Sequence, residues 1–150
     1  LDHLTKLDME KAAEEPRNPL WYQLLGDLQQ GRKFYGEAIA SYEQGLRLSP
    51  NHPEILNNLA WILLTADDPQ IVDPEKALML AREAASAKPA GYILDTLALA
   101  FWQNGFAERA RQVEHKAIVV DPENIKYYEK QLEKFNTAAE NDDNDKSRGE

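Results

Sequence analysis

The residue types that could carry out chemistry are sparse in this chain and badly spaced for it. His3, His52 and His115 lie far apart, with no His-Glu-x-x-His run, no cysteine and no defensible Ser-His-Asp set. Neither a metal centre nor a nucleophilic one is expected. Gly26-Asp27-Leu28-Gln29-Gln30-Gly31-Arg32-Lys33 has the glycine spacing of a phosphate-binding loop. Arg32 stands where the lysine belongs, Lys33 where the hydroxyl belongs, and Gly26 falls inside a helical pattern, so the phosphate cradle fails. Asp143-x-Asp145-x-Ser147 opens like a calcium loop, but Arg148 takes the place of the required glycine. The expectation is a protein that is not an enzyme, with no cofactor and no bound metal.

Charge narrows the partners. The 150 residues carry 17 Lys and Arg against 26 Asp and Glu, a formal charge of −9. That balance repels phosphate backbones and anionic lipid, and no basic cluster interrupts it, so nucleic acid is not expected as a partner. The apolar stretches Leu59–Leu64 and Ile93–Trp102 fall far short of the roughly 20 residues a bilayer span needs, and Asp95 interrupts the second. Direct membrane insertion is therefore not expected. Leu1 to Pro16 lacks the basic start and apolar run of a secretion signal. The expectation is a soluble domain, cytoplasmic or periplasmic, with the compartment left open. A hydrophobic content of 43% suffices for one folded core.

The chemistry-poor surface has to be positioned by something, and the elements show a repeat. Pro50, Pro89 and Pro122 each close an amphipathic stretch that begins with an alanine twelve residues earlier, at Ala38, Ala77 and Ala110. Ahead of each lies another pattern of apolar residues every three or four positions, in Leu20–Gln30, Leu56–Thr65 and Ile93–Gln103. Each unit is a helical hairpin with a period near 34 residues. The second unit holds its extra residues between its two helices, in Ala66–Pro74, where Asp73 is placed to cap a helix opened by Pro74. Ile71 and Val72 in that enlarged turn read either as a plug between the helices or as an exposed contact. Gly31, Gly36 and Gly105 mark turns where a left-handed backbone is expected. Ile125, Tyr128, Leu132 and Phe135 share one face of a further helix, and Asn136 to Glu150 lacks large apolar residues, so disorder is expected there.

These residues resemble the tetratricopeptide repeat, whose helix-turn-helix unit carries W-x2-L-G-x2-Y, then A-x3-F, then P. Tyr22, Leu25, Gly26, Ala38, Tyr42, Gly45 and Pro50 fill its slots in the first unit. The second unit supplies Leu56, Leu59, Ala60, Leu63, Ala77, Ala81, Ala84 and Pro89. In the third, Leu94, Leu97, Ala98, Phe101, Ala110, Ala117 and Pro122 fit, while Glu114 at the aromatic slot is the clearest departure. The resemblance implies an all-α, right-handed solenoid of three hairpins with a C-terminal capping helix. Its divisions are residues 1–16 (an N-terminal helix or half a repeat, with Leu4 at the alanine slot), 17–52, 53–90 and 91–122 (the hairpins), 123–136 (the cap) and 137–150 (a disordered acidic tail). Leu56–Trp61 and Leu94–Ala98 look like bacterial arrays attached to larger or membrane-bound proteins.

The resemblance also implies a function. In this family the first helix of each hairpin lines a concave groove that holds a peptide or a partner's helix. Mapped onto this chain, the groove residues are Gln23 and Asp27, then Asn57, Trp61 and Leu64, then Tyr92, Asp95, Leu99 and Trp102. Trp61, Leu64, Leu99 and Trp102 would form one apolar patch if both tryptophans are accessible; the other reading makes them core. The positions that bind a chaperone's terminal carboxylate hold Gln23, Asp27, Asn58, Tyr92 and Thr96, which lack the cations such binding needs. The expectation is a non-catalytic module for a protein or peptide partner. Two alternatives stand beside it: a docking domain of a larger enzyme or membrane protein, and a module that self-associates into a homo-oligomer.

Overall fold

The computed structural model describes residues 2–146, with side chains through Thr137. Its helices are α1 (His3–Glu14), α2 (Pro19–Gly31), α3 (Tyr35–Leu48), α4 (Pro53–Thr65), α5 (Pro74–Ala87), α6 (Gly91–Gln103), α7 (Ala107–Val120) and α8 (Ile125–Lys146). No strand occurs among the described residues. α2 pairs with α3, α4 with α5 and α6 with α7, and each pair stacks on the next, giving an α-solenoid of helical hairpins.

Local chemistry explains where the helices start. Asn18, His52 and Asp73 each accept a backbone N–H from the first turn that follows, and a proline occupies the next position in all three. α3 and α7 start without a side-chain cap. Their turns are tied instead by backbone bonds from Phe34 N–H to the Gln29 carbonyl and from Phe106 N–H to the Phe101 carbonyl, both 2.9 Å. The left-handed residues of these turns are Lys33, at φ 63°, and Gly105, at φ 85°. Gly105 meets the sequence expectation. Gly31 and Gly36 do not, because Gly31 closes α2 and Gly36 sits inside α3.

Packing rests on small residues seven apart, two helical turns along one face. Ala38 and Gly45, Ala77 and Ala84, and Ala110 and Ala117 are all buried. A Cβ on Gly45 would meet the side chain of Ile55 at 2.7 Å, which shows how closely α3 approaches α4. α1 follows the same rule with Thr5 and Ala12. Its register differs by one residue from the expected one, and Leu4 is 55% exposed instead of occupying the small-residue slot. The polar network at the helix start accounts for the shift: Asp2 caps the Thr5 N–H and pairs with Arg32, which also donates to the Thr5 hydroxyl at 3.0 Å. Nearby, the Trp21 indole donates to Glu15 at 3.0 Å.

In the enlarged turn Ile71 packs against the main core and the Asp73 N–H bonds to the Leu63 carbonyl, the arrangement of a plug. Asp67 at its edge receives Lys33 at 2.5 Å and Tyr35 at 3.0 Å from the first hairpin. At the far end α8 packs on α7 as α4 packs on α3 and α6 on α5. It buries Tyr128, Leu132 and Phe135 of the expected face, while Ile125 stays exposed. The backbone helix continues past Asn136, the expected boundary, to Lys146. Ala138, Ala139 and Glu140 are good helix formers that extend a formed helix at little cost, whereas residues 141–145 are not. The remainder of the expected disordered tail, residues 147–150, lies outside the described residues.

Candidate functional site

The first helices α2, α4 and α6 lie side by side along one face of the stack. Equivalent positions therefore come into register: Gln23, Asn57 and Asp95 in one row, Asp27, Trp61 and Leu99 in the next. α8 occupies the place of a fourth first helix, packing on α7 and reaching α6 through side chains, Tyr127 to Asp95 and Phe135 to Trp102, with a gap left between them. The gap is a cavity of about 490 Å³ between α4, α6, the 3-10 turn Pro122–Asn124 and α8.

Four of the expected groove residues line this cavity: Asn57, Trp61, Tyr92 and Asp95. Gln23 and Asp27 lie outside it. Asp27 acts as a brace, accepting the Tyr42 hydroxyl at 2.6 Å and the Asn58 amide at 2.9 Å. The expected apolar patch does not form as one surface. Leu64 is buried in the main core and Leu99 packs against it. Trp102 is half-buried, with its ring 5.7 Å from the ring of Phe135 in α8. Helical spacing put these residues on one side of α4 and α6, but the docking of α8 covers that end and leaves Trp61 as the indole in the cavity.

The cap also contributes what the sequence reading missed. Asp121, Asn124, Tyr127 and Tyr128 complete the wall. The adjacent tyrosines were the available signal, because one of two neighbours on a packed helix must face away from the buried stripe. Tyr128 faces the core with its hydroxyl donating to Asp121 at 2.6 Å, and Tyr127 donates to Asp95 at 3.2 Å. Gly91 makes room for this seat, since a Cβ there would lie 2.6 Å from both the Tyr128 hydroxyl and the Asp121 side chain.

Beneath the cavity two acids meet. Asp95 is 5% exposed and Glu114 fully buried. Burial raises both carboxyls, and the neighbouring Asp95 charge adds to the effect on Glu114, which reaches about 9. Neither Glu114 oxygen receives a hydrogen bond from a protein donor. Glu114 is satisfied by keeping its proton and donating it in a hydrogen bond to the Asp95 carboxyl. Burial, together with Asp95, pushes the Tyr127 phenol up to about 12. Hydrogen bonds from Tyr128 and Asn124 hold Asp121 below the usual carboxylate range and therefore ionised. At the rim, Glu54 accepts Lys88 at 2.7 Å and the Tyr92 hydroxyl at 2.5 Å. Asn57 is 6% exposed and its Oδ1 has no donor.

This arrangement can accept hydrogen bonds and stack against flat or cationic groups. Among the described residues no group of three or more His, Cys, Asp or Glu side chains is placed to hold a metal ion, and no helix is long and apolar enough to cross a membrane.

Comparison with known proteins gives the same architecture. Residues 41–78 match the tetratricopeptide repeat family model. No curated protein sequence matches the chain. Among solved structures, MamA (41-end) from Desulfovibrio magneticus RS-1 is similar at TM-score 0.77 and 24% identity, over 91% of this chain and 74% of that one. The first TPR of Spaghetti (RPAP3) bound to HSP90 peptide SRMEEVD is similar at TM-score 0.71 and 18% identity, over 81% and 92%. TTC0263, a thermophilic TPR protein in Thermus thermophilus, is similar at TM-score 0.72 and 15% identity, over 90% and 72%.

Proposed function

Taking this chain as a tetratricopeptide-repeat solenoid, we propose that it is a non-catalytic interaction module that holds an extended peptide or partner segment along its first helices. The observation that carries the reading is the cavity between α4, α6 and α8, where Trp61, Tyr92 and Tyr127 meet hydrogen-bond acceptors on a rigid helical frame. Aromatic side chains of this kind anchor interfaces because they bury large area with few rotatable bonds. Spaghetti's first TPR is a useful contrast, since that protein was solved with the acidic peptide SRMEEVD. Here the carboxylate-binding positions hold Gln23, Asp27, Asn58, Tyr92 and Thr96, so an acidic tail meets an acidic groove.

The test is a titration of the isotope-labelled protein with capped random nonapeptides, followed by NMR. The indole N–H of Trp61 and the side-chain amide of Asn57 are expected to shift first, and the SRMEEVD peptide is expected to leave both unmoved. Shifts confined to the outer face around Val119, or saturable binding of SRMEEVD at the groove, would sink the reading.

A further inference from the structure

The cavity has a composition that selects among peptides. Trp61, Tyr92 and Tyr127 supply aromatic surface, Asp95 and Asp121 supply carboxyl oxygens with Asp121 held ionised, and none of its lining residues is Lys or Arg. Two cations act on its lining from outside: Lys88 is held by Glu54 and Tyr92, and Lys134, bonded to Gln131, acts on Asp95 through space. A separate observation points the same way. Asn57 is more than nine-tenths buried in the lining, and its Oδ1 is an acceptor that no donor in the protein satisfies. An unpaired buried acceptor costs free energy that an incoming N–H recovers.

We infer that the cavity seats an arginine side chain of the bound peptide, its guanidinium stacked on the Trp61 and Tyr127 rings and donating to Asp95, Asp121 and Asn57. The inference rests on the groove reading above and names the residue that groove recognises. Arginine fits better than lysine on chemical grounds. Its planar cation stacks on aromatic faces, loses less hydration on burial, and distributes five N–H donors over acceptors that lie in different directions. An ammonium presents three donors from one point. A carboxylate would face Asp95 and Asp121 with no cation to receive it. The −9 charge of the whole chain adds a long-range pull on a basic segment.

The experiment compares four pools of capped nonapeptides that differ only in a fixed central residue: arginine, citrulline, lysine or glutamate. Citrulline keeps the shape of arginine and removes its charge. Affinity is read from the Trp61 indole resonance, at low and at physiological salt. The arginine pool is expected to bind about tenfold tighter than the citrulline pool. That gap is expected to narrow with salt and to shrink again in Asp121→Asn, whose amide still accepts the Tyr128 hydroxyl. Equal binding of the arginine and citrulline pools overturns the inference and leaves the groove reading standing. A lysine or glutamate pool that matches arginine overturns it too. If no pool moves the Trp61 resonance, the groove reading falls and takes this inference with it.

Discussion

The first and third hairpins place different residues at the same point of one packing plan. Four residues after the buried alanine, the first has Tyr42 and the third has Glu114, both with no exposed surface. Tyr42 lays its ring over Gly26 and sends its hydroxyl to Asp27 and Gln30, so every polar atom is paired. Glu114 fills less volume, tolerates Ala98 where the first hairpin has Gly26, and finds only another acid at its tip. The second hairpin has alanine at both positions, Ala60 and Ala81. The fold thus accepts three solutions of different volume at the slot, and only the third stores a proton under the groove.

Adding a methyl to the first hairpin should break this comparison most severely. Gly26→Ala would put a Cβ 2.4 Å from the Tyr42 ring, and a loss of about 3 kcal/mol is expected in urea unfolding. The reverse change, Ala98→Gly, is expected to cost about 1 kcal/mol, because nothing there requires glycine. Similar costs at the two positions would show that Tyr42 and Glu114 do not set the local spacing.

The next effect concerns the proton. Folded Glu114 keeps it up to about pH 9, whereas the unfolded chain releases it near 4.5. Stability from this group is therefore complete below pH 4.5 and declines as pH rises toward 9. The groups facing it are Asp95, with Tyr127 and Lys134 acting on Asp95 from α8. Glu114→Gln removes the titration while leaving donors for Asp95. It is expected to stabilise the protein by about 2 kcal/mol at pH 8 and to flatten the slope between pH 5 and 8, with little change at pH 4. An unchanged slope would mean that Glu114 carries its charge in the folded state.

The smallest effect lies in the turns of the same two hairpins. Lys33 and Gly105 hold the same left-handed position, and only one of them is glycine. Lys33→Gly is expected to stabilise the chain by about 0.5–1 kcal/mol, although the exposed contact with Asp67 is lost, and Gly105→Ala to destabilise it by about 1 kcal/mol. Thermal melts of the two variants that move in the same direction would refute the equivalence of the turns.

The hairpins were legible because their signals are local. A proline closing each unit, small residues seven apart and the Asp73-Pro74 start each specify a contact within one or two turns of chain. Glu114 announced itself as a departure from the pattern, although its partner Asp95 lies a helix away. The candidate site was half legible for the same reason. Asn57, Trp61, Tyr92 and Asp95 follow from the register of α4 and α6. Leu64 fell in the core, and Trp102 took the packed one of its two readings, because periodicity gives the face of a helix and not what later docks on it. The placing of Tyr127 and Asp121 at the cavity depends on the Tyr128 seat against Gly91, a contact between residues far apart in sequence. The register of α1 was off by one because a polar cap at Asp2 outweighed the apolar preference of Leu4.

The three tryptophans of this chain stand at three different levels of the stack. Trp21 sits at the junction with α1, Trp61 in the cavity and Trp102 under the cap. Single-indole versions of the protein would each carry one fluorescent gauge. Their emission would follow, separately, fraying at the entrance, occupancy in the middle and lifting of the last helix.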